Sequence, residues 1–235
     1  MISLGHMHEK PILQERFQMD KQTIQPFLTV ANYHLLEQQL NKILHALTTT
    51  KDKNVILAVR GLVDSEITAK LALSSAETKL IEQLFSVTDR PQGEAFLAQI
   101  KPYVIPFKPL TVSTLKSLFK KEKKLKLPKL EELDFSQICY LAWDDPGTHR
   151  KYVVLEQEGQ FKAIKGIFSN NTIRGICAVC NRHSDVGLFT TSVKGQAVGT
   201  YTNHSNYICA DSQTCNGHVT DMDKTLAFFE RITQK

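Results

Sequence analysis

Apolar residues recur three and four positions apart through most of the first hundred residues, which is the spacing of a helix with one buried face. The clearest run extends from Thr23 to Thr48, with Pro26 in its first turn. Its apolar positions are Ile24, Phe27, Tyr33, Leu36, Leu40, Ile43, Leu44 and Leu47. We therefore expect a long amphipathic helix near the start of the chain.

Further helices are expected before the hundredth residue. The stretch "KNVILAVRGLVDSEITAKLALS" indicates two shorter helices that are interrupted near Gly61. Ser74 followed by Glu77 matches a capping box and predicts a helix that continues through Phe85. The segment "TDRPQGEAFLAQI" repeats this start signal with an acidic cap and a nearby proline. Together these patterns predict an N-terminal helical bundle over residues 1–103.

The hydrophobic period changes after "KPYVIPFKPLT", whose three prolines remove backbone donors and favour extended geometry. We place the domain boundary there and assign residues 104–235 to a second domain. It begins with a predicted helix in "STLKSLFKKEKK" and ends with one in "TDMDKTLAFFERI", which Thr220 would cap. Between them, alternation predicts strands in "KLKLPKL", "FSQICYLAW", "KYVVLEQE", "FKAIKGIFS" and "TIRGICAV". The predicted fold class is α+β, a helical bundle followed by an α/β domain with antiparallel strands.

Composition narrows the class of protein. The longest fully aliphatic run is "VILAV", far shorter than a membrane span, and the N-terminal residues offer no apolar stretch of the secretory type. We therefore expect a cytoplasmic protein that makes no membrane contact. The formal net charge is +5, and residues 108–129 hold eight lysines but one acid, Glu122. Three interpretations of this lysine cluster stay open. It could be a solvated face, a surface that attracts an acidic partner, or a contact surface for ribosomal RNA.

Four of the five cysteines form two local pairs. Cys177 and Cys180 make a C-x2-C pair, and after 28 intervening residues Cys209 and Cys215 make a C-x5-C pair. Zn²⁺ prefers tetrahedral sets of thiolates, and a two-residue gap lets both sulfurs of a tight turn face one ion. We predict one zinc ion held by these four residues. A site closed by four protein ligands is structural, because catalytic zinc keeps a ligand position open.

Other interpretations of the cysteines stay open at this point. The four could be unrelated buried thiols, or the first pair could be a redox motif, although no thioredoxin-like βαβ pattern surrounds it. One sulfur could be replaced by a histidine from the set His183, His204 and His218. Cys139 lies in an apolar strand pattern and is expected to be a small core residue.

Several sequence blocks resemble the FusB-type fusidic acid resistance proteins, which bind elongation factor G. The blocks are "VIPFKPLTVSTLKSLFKKEKKLKLP", "LAWDDPGTHRKYVVL", "GICAVCNRHSDVGLF" and "YICADSQTCN", in that order along the chain. The resemblance covers the chain from about Thr23 to the end and is strongest after Tyr103. Residues 1–20 form an extension that it does not explain.

The resemblance implies a helical domain followed by a domain with a four-cysteine zinc finger, and the four paired cysteines stand at the family's ligand positions. It also implies contacts to elongation factor G from Tyr207, Phe228 and His204, where His204 replaces a lysine of the family. From the residues alone, Tyr207 could instead cover the zinc site. Phe228 and its neighbour Phe229 project about 100° apart on the last helix, so we expect one of them to be exposed.

We interpret the chain as a monomeric binding protein without catalytic residues. It would capture elongation factor G and promote its release from ribosomes that are stalled by fusidic acid, with ribosome contact through the factor and no binding to DNA. The main alternative is a zinc-finger module that binds RNA or the ribosome without a role in drug resistance. A zinc hydrolase or deaminase is disfavoured, because neither H-E-x-x-H nor H-x-E with P-C-x-x-C occurs.

Overall fold

A computed structural model describes residues 24–195 and 197–234 of the chain. The predicted extension over residues 1–20 and the predicted helix start at Thr23 lie outside this part. The helices are α1 (Val30–Thr49), α2 (Lys53–Lys70), α3 (Ser75–Ile81), α4 (Arg90–Ile100), α5 (Val112–Leu118), α6 (Ser212–His218) and α7 (Met222–Thr233). The strands are β1 (Leu28–Thr29), β2 (Val104–Ile105), β3 (Leu141–Asp145), β4 (Arg150–Gln157), β5 (Gln160–Phe168), β6 (Ile173–Ile176), β7 (His183–Lys194) and β8 (Tyr201–Cys209).

The N-terminal part is helical, as predicted, but two of its boundaries differ from expectation. Helix α1 begins at Val30, where the Thr29 side chain caps it, so Pro26 precedes the helix. Helix α2 runs through Gly61 without the expected break. One glycine disfavours a helix by only about 1 kcal/mol, which the burial of Val63 and Ile67 offsets.

The start of α3 matches its sequence signal. The Ser74 side chain accepts a bond from the Glu77 backbone, and the Glu77 carboxylate accepts one from the Ser74 backbone, so the capping box is confirmed. The helix then tightens into a 3₁₀ turn over Glu82–Ser86. Helix α4 begins after the Asp89 cap, with a proline in its first turn as predicted.

The C-terminal part is an antiparallel sheet, as predicted, with α5, α6 and α7 around it. Strand β7 has two edges. Val186 pairs with Ile173 of β6 and with Cys209 of β8, while Phe189 pairs with Phe168 of β5 and with Asn206 of β8. Strands β5 and β6 therefore follow each other along one edge of β7, and β8 occupies the other edge.

Several predictions within this part were wrong. The segment "KLKLPKL" forms no strand, and α5 ends at Leu118 rather than continuing through the lysines. The chain leaves α5 at Phe119, whose ring packs against Trp143 and Tyr152 with centroids 5.7 and 5.1 Å away. Helix α7 is capped by Asp221 instead of Thr220.

Two buried clusters hold the described residues together. The larger cluster includes side chains of α1 to α4 and side chains around the paired cysteines, so the helical part and the sheet share apolar packing. The smaller cluster lies where α5 covers the sheet, with Leu115, Phe119, Trp143, Tyr152 and Val154 among its members. The division at residue 103 remains a prediction. Among the described residues, no helix combines the length and apolar character needed to span a bilayer.

Candidate metal centre

The four paired cysteines reach one point from two different pieces of structure. Cys177 and Cys180 lie in the tight turn that joins β6 to β7. Cys209 is the last residue of β8, and Cys215 lies in the short helix α6 that follows. All four are buried, and their sulfurs lie within 4.8 Å of one another. The structure therefore brings together all four cysteines that the spacing predicted.

The distances between the sulfurs fit a tetrahedral zinc ion. Cys177 Sγ lies 3.7 Å from Cys215 Sγ, and Cys180 Sγ lies 3.7 Å from Cys209 Sγ. Four sulfurs placed about 2.3 Å from a tetrahedral Zn²⁺ are separated by about 3.8 Å. No disulfide joins these cysteines, so all four thiols are available as ligands. The donor set and its spacing therefore match a closed structural zinc site.

Backbone amides support the sulfur of Cys177. The N–H groups of Val179 and Cys209 donate to it over 3.4 and 3.3 Å. Such bonds stabilise a thiolate and orient a ligand. Asn181 adopts a left-handed conformation with φ of 55°, which lets the turn close so that its N–H donates to the Cys177 carbonyl at 2.9 Å.

The ionisation of the four thiols requires a cation. Hydrogen bonding with Cys180 lowers the pKa of Cys177, whereas hydrogen bonding with Cys177 raises the pKa of Cys215 well above its usual range. Four buried thiolates at this spacing repel one another, so they can ionise together only when a metal ion compensates their charge. The chemistry of the cluster is therefore that of a metal site.

Cys139 does not belong to this cluster. Its side chain is buried, and burial raises the pKa of its thiol to about 12. Its N–H donates to Asn216 Oδ1 at 2.7 Å, and the Tyr140 N–H donates to the same oxygen at 3.2 Å. Because these two N–H groups bond to a side chain, Cys139 and Tyr140 do not join β3, which begins at Leu141, whereas the sequence predicted a strand from Phe135. None of His183, His204 and His218 is part of the sulfur cluster.

Asn216 and Lys151 attach the second pair of cysteines to the rest of the fold. Asn216 follows Cys215 and is buried, and its Nδ2 donates to the Tyr140 carbonyl at 3.1 Å. Lys151 is only 1% exposed, and its Nζ donates to Ala210 O and Ser212 Oγ, each at 3.1 Å. Sequence reasoning missed both residues, because neither a lysine that follows Arg150 at the start of a strand nor a single asparagine after Cys215 carries a local signal of burial.

The three predicted contact residues do not share one surface. Tyr207 pairs with Leu188, and His204 pairs with Thr191. Because side chains alternate along a strand, residues three apart such as His204 and Tyr207 point to opposite faces of the sheet. Tyr207 is 42% exposed, whereas Phe228 is 1% exposed and Phe229 is 4% exposed. The expectation that one of the two phenylalanines is exposed was wrong, because both pack into the larger buried cluster.

The exposed residues around Tyr207 form an apolar surface that the sequence did not reveal. Leu188 lies directly opposite Tyr207, Ile173 pairs with Val186 two positions before Leu188, and Ile167 pairs with Thr190 two positions after it. Directly paired residues of antiparallel strands share a face. The four exposed side chains Ile167, Ile173, Leu188 and Tyr207 therefore lie on one face of the sheet, which we call the contact face.

Comparisons with known proteins agree with this architecture. Residues 27–108 match the model of the N-terminal domain of elongation factor G-binding proteins. Residues 113–231, just over half of the chain, match the FBP C-terminal treble-clef zinc finger. The chain belongs to the elongation factor G-binding protein family. The resemblance seen in the sequence is thereby confirmed, and the turn, hairpin and short helix around the cysteines are the parts of a treble clef.

A solved structure extends the comparison over nearly the whole chain. The protein is similar to the fusidic acid resistance protein FusC, with a TM-score of 0.77 and 28% identity. The match covers 90% of this chain and 100% of that chain. Comparison with curated protein sequences gave no significant match.

Proposed function

We propose that this protein binds elongation factor G and promotes its release from ribosomes that are stalled by fusidic acid, which would protect translation from the drug. One observation carries the proposal: both family models and the FusC structure match the chain over its helical part and its zinc finger together. The likeness therefore extends beyond a zinc finger, which alone would be compatible with many functions.

The contact face is the surface on which we place elongation factor G. Tyr207 precedes Cys209 by two residues, and its carbonyl accepts a bond from the Ala178 N–H at 2.8 Å. The cysteine turn thus fixes the backbone of Tyr207. An aromatic side chain on a fixed backbone binds a partner at a small entropic cost, which is typical of residues that dominate interface energy.

Zinc would act in this function as a structural ion held by Cys177, Cys180, Cys209 and Cys215. When bound, it supplies charge compensation for four thiolates and joins the turn before β7 to the end of β8. Both segments border the contact face, so the ion would fix the position of Tyr207 relative to Leu188. No residue is assigned a catalytic role.

Release of the factor follows from preferential binding. A partner that binds both the ribosome-held and the released conformation equally shifts nothing, however tightly it binds. The protein must therefore bind better to a conformation of elongation factor G that leaves the ribosome than to the one that fusidic acid stabilises.

Titration of purified elongation factor G with the full chain tests the binding. Tyr207→Ala should weaken the affinity by about 30-fold, which corresponds to the loss of an interface residue worth about 2 kcal/mol. Tyr201→Ala is the matched control, because Tyr201 is also exposed on β8 but lies six positions from Tyr207. An equal loss of affinity in both variants would show that the contact face is not the binding surface. If the unmodified protein does not bind elongation factor G, the proposed function is refuted.

Sedimentation of ribosomes tests the release step separately. Ribosomes loaded with elongation factor G and fusidic acid should lose the factor when the unmodified protein is added, and should retain it with Tyr207→Ala. If the protein binds free elongation factor G but releases none from ribosomes, its function is limited to binding the factor.

A further inference from the structure

A positively charged surface lies at the end of helix α5 and just beyond it. Over residues 116–124, which we call the lysine segment, Lys116, Lys120, Lys121, Lys123 and Lys124 are all exposed. Within the described part of the chain, none of the five forms a salt bridge. By contrast, Lys126 pairs with Asp145 at 3.2 Å and Lys129 pairs with Glu132 at 2.6 Å. The uncompensated charge is therefore concentrated in the lysine segment.

The single acid of the segment does not neutralise these lysines. Glu122 accepts bonds from Lys165 and from Arg150, the latter at 2.8 Å, and a third from the Tyr152 hydroxyl at 3.3 Å. Hydrogen bonding to Lys165 lowers the pKa of Glu122, so this carboxylate is fully engaged with cations of the sheet. Lys165 and Arg150 remain partly exposed, and with the single Glu122 carboxylate they leave one net positive charge beside the lysine segment.

The apolar side chains of the segment face inward. Phe119 is buried against Trp143 and Tyr152, and Leu118 packs against the same cluster. Protein interfaces are enriched in aromatic side chains and depleted of lysine at their centre, so this surface lacks the usual anchors for a protein partner. Single-stranded nucleic acid needs exposed aromatic side chains on which bases stack, and the segment offers none. The phosphates of a double helix can be bound without apolar anchors and without exposed aromatic side chains, because lysines bind them by charge.

We propose that the lysine segment binds the phosphate backbone of double-helical RNA. The choice of RNA over DNA rests on the proposed function, since elongation factor G acts on the ribosome. Lys165 lies two positions before Ile167 on β5, so both side chains occupy the same face of the sheet. The lysine segment thus borders the contact face, and the protein can touch an RNA helix while it holds the factor. Sequence-independent contact of this kind accelerates encounter and adds affinity on the ribosome.

Fluorescence anisotropy of a labelled RNA duplex, titrated with the full chain across a salt series, tests this proposal without elongation factor G. Lys120, Lys121 and Lys124 changed together to Gln should weaken binding by more than about tenfold at about 0.1 M salt. The slope of log affinity against log salt should fall in magnitude by about one for each lysine that contacts a phosphate. Lys51, Lys53 and Lys79 changed together to Gln form the matched control, because they are equally exposed but lie in the helical part.

Two outcomes would overturn the proposal: unchanged affinity and slope in the first variant, or the same loss in both variants. Titration of the two variants with free elongation factor G separates this inference from the proposed function. Intact binding to the factor with lost RNA binding supports the inference. Slower association with the factor and unchanged RNA binding would show that the lysines attract an acidic protein, which also overturns it.

Discussion

Lys151 Nζ donates a hydrogen bond of 3.1 Å to the carbonyl oxygen of Ala210, the residue that follows Cys209. The same ammonium group bonds Ser212 Oγ and Asp144 Oδ2, at 3.1 and 2.9 Å, and lies 4.7 Å from the centre of the Phe168 ring. A buried charge is tolerated only when it is fully paired, as it is here. Lys151 therefore fixes the loop between two of the proposed zinc ligands to the central strands.

Replacement of Lys151 should loosen that loop. Lys151→Met keeps the length of the side chain but leaves two acceptors of the loop without their donor, so we expect a loss of about 2 kcal/mol in the free energy of unfolding. Transfer of zinc to a chromogenic chelator should also be faster than in the unmodified protein. Lys165→Met is the control, because Lys165 is a partly exposed lysine of the neighbouring strand and does not contact the loop. Equal release rates in both variants would contradict a positioning role for Lys151.

Elemental analysis of the purified protein should find one zinc ion per chain. Single changes of Cys177, Cys180, Cys209 and Cys215 to Ser should each remove it, because a hydroxyl is a poor substitute for a thiolate. Chelation should destabilise the protein, since binding energy at such a site is also folding energy. Cys139→Ser is the control and should retain the metal. A Cys139→Ser protein without zinc would show that the ligand set is wrong.

The clustering of the four cysteines was predictable from the sequence, because each pair is local and its spacing is typical of a metal site. The hairpin of β7 and β8, which leads to the second pair, was harder to predict. Strand β7 contains Gly187 in its interior, where an added Cβ would collide with the Ser169 carbonyl oxygen. Such a close approach of two strands requires glycine, but the residue lowers local strand propensity. Sequence patterns therefore gave no strand where the sheet in fact has its longest one.

The contact residues illustrate the opposite case, in which the family resemblance names residues whose burial and position on the sheet local sequence patterns do not determine. Alternation along β8 could have placed His204 and Tyr207 on opposite faces, had the strand been predicted. The burial of Phe228 depends on packing between distant elements, which periodicity on one helix cannot determine. The apolar contact face itself arises from register, since Ile167, Leu188 and Tyr207 come from three strands.

Phe228 and Tyr207 should behave differently on truncation. Phe228→Ala removes a fully buried ring and should lower the free energy of unfolding by about 3 to 5 kcal/mol. Tyr207→Ala should change stability by less than about 1 kcal/mol, because the ring is half-exposed. Urea unfolding of the two variants measures both values. A small loss for Phe228→Ala, combined with weaker binding to elongation factor G, would instead support a direct contact from Phe228.

His34 joins α1 to the segment after α6, and it gives the fold a pH dependence. Its Nδ1 lies 3.2 Å from the Val219 carbonyl oxygen, so this nitrogen carries the proton and donates it. Burial lowers the pKa of His34 and outweighs the opposing effects of the hydrogen bond to Val219 and of the charge of Glu37. The unfolded chain therefore binds a proton more readily than the folded protein. The stabilisation is present above about pH 6.5 and is lost as the pH falls below that value.

The variant His34→Gln tests this coupling, because an amide can still donate to Val219 but does not titrate. Unfolding free energies are compared for the two proteins at about pH 7.5 and about pH 5.5. The unmodified protein should lose more stability on acidification than the variant, by up to about 1.4 kcal/mol per pH unit. Protonation of the cysteine ligands affects both proteins equally and cancels in the difference. If the free energies of unfolding of the two proteins change with pH in parallel, His34 has the same pKa in the folded and unfolded chains. That result would contradict the expected effect of its burial.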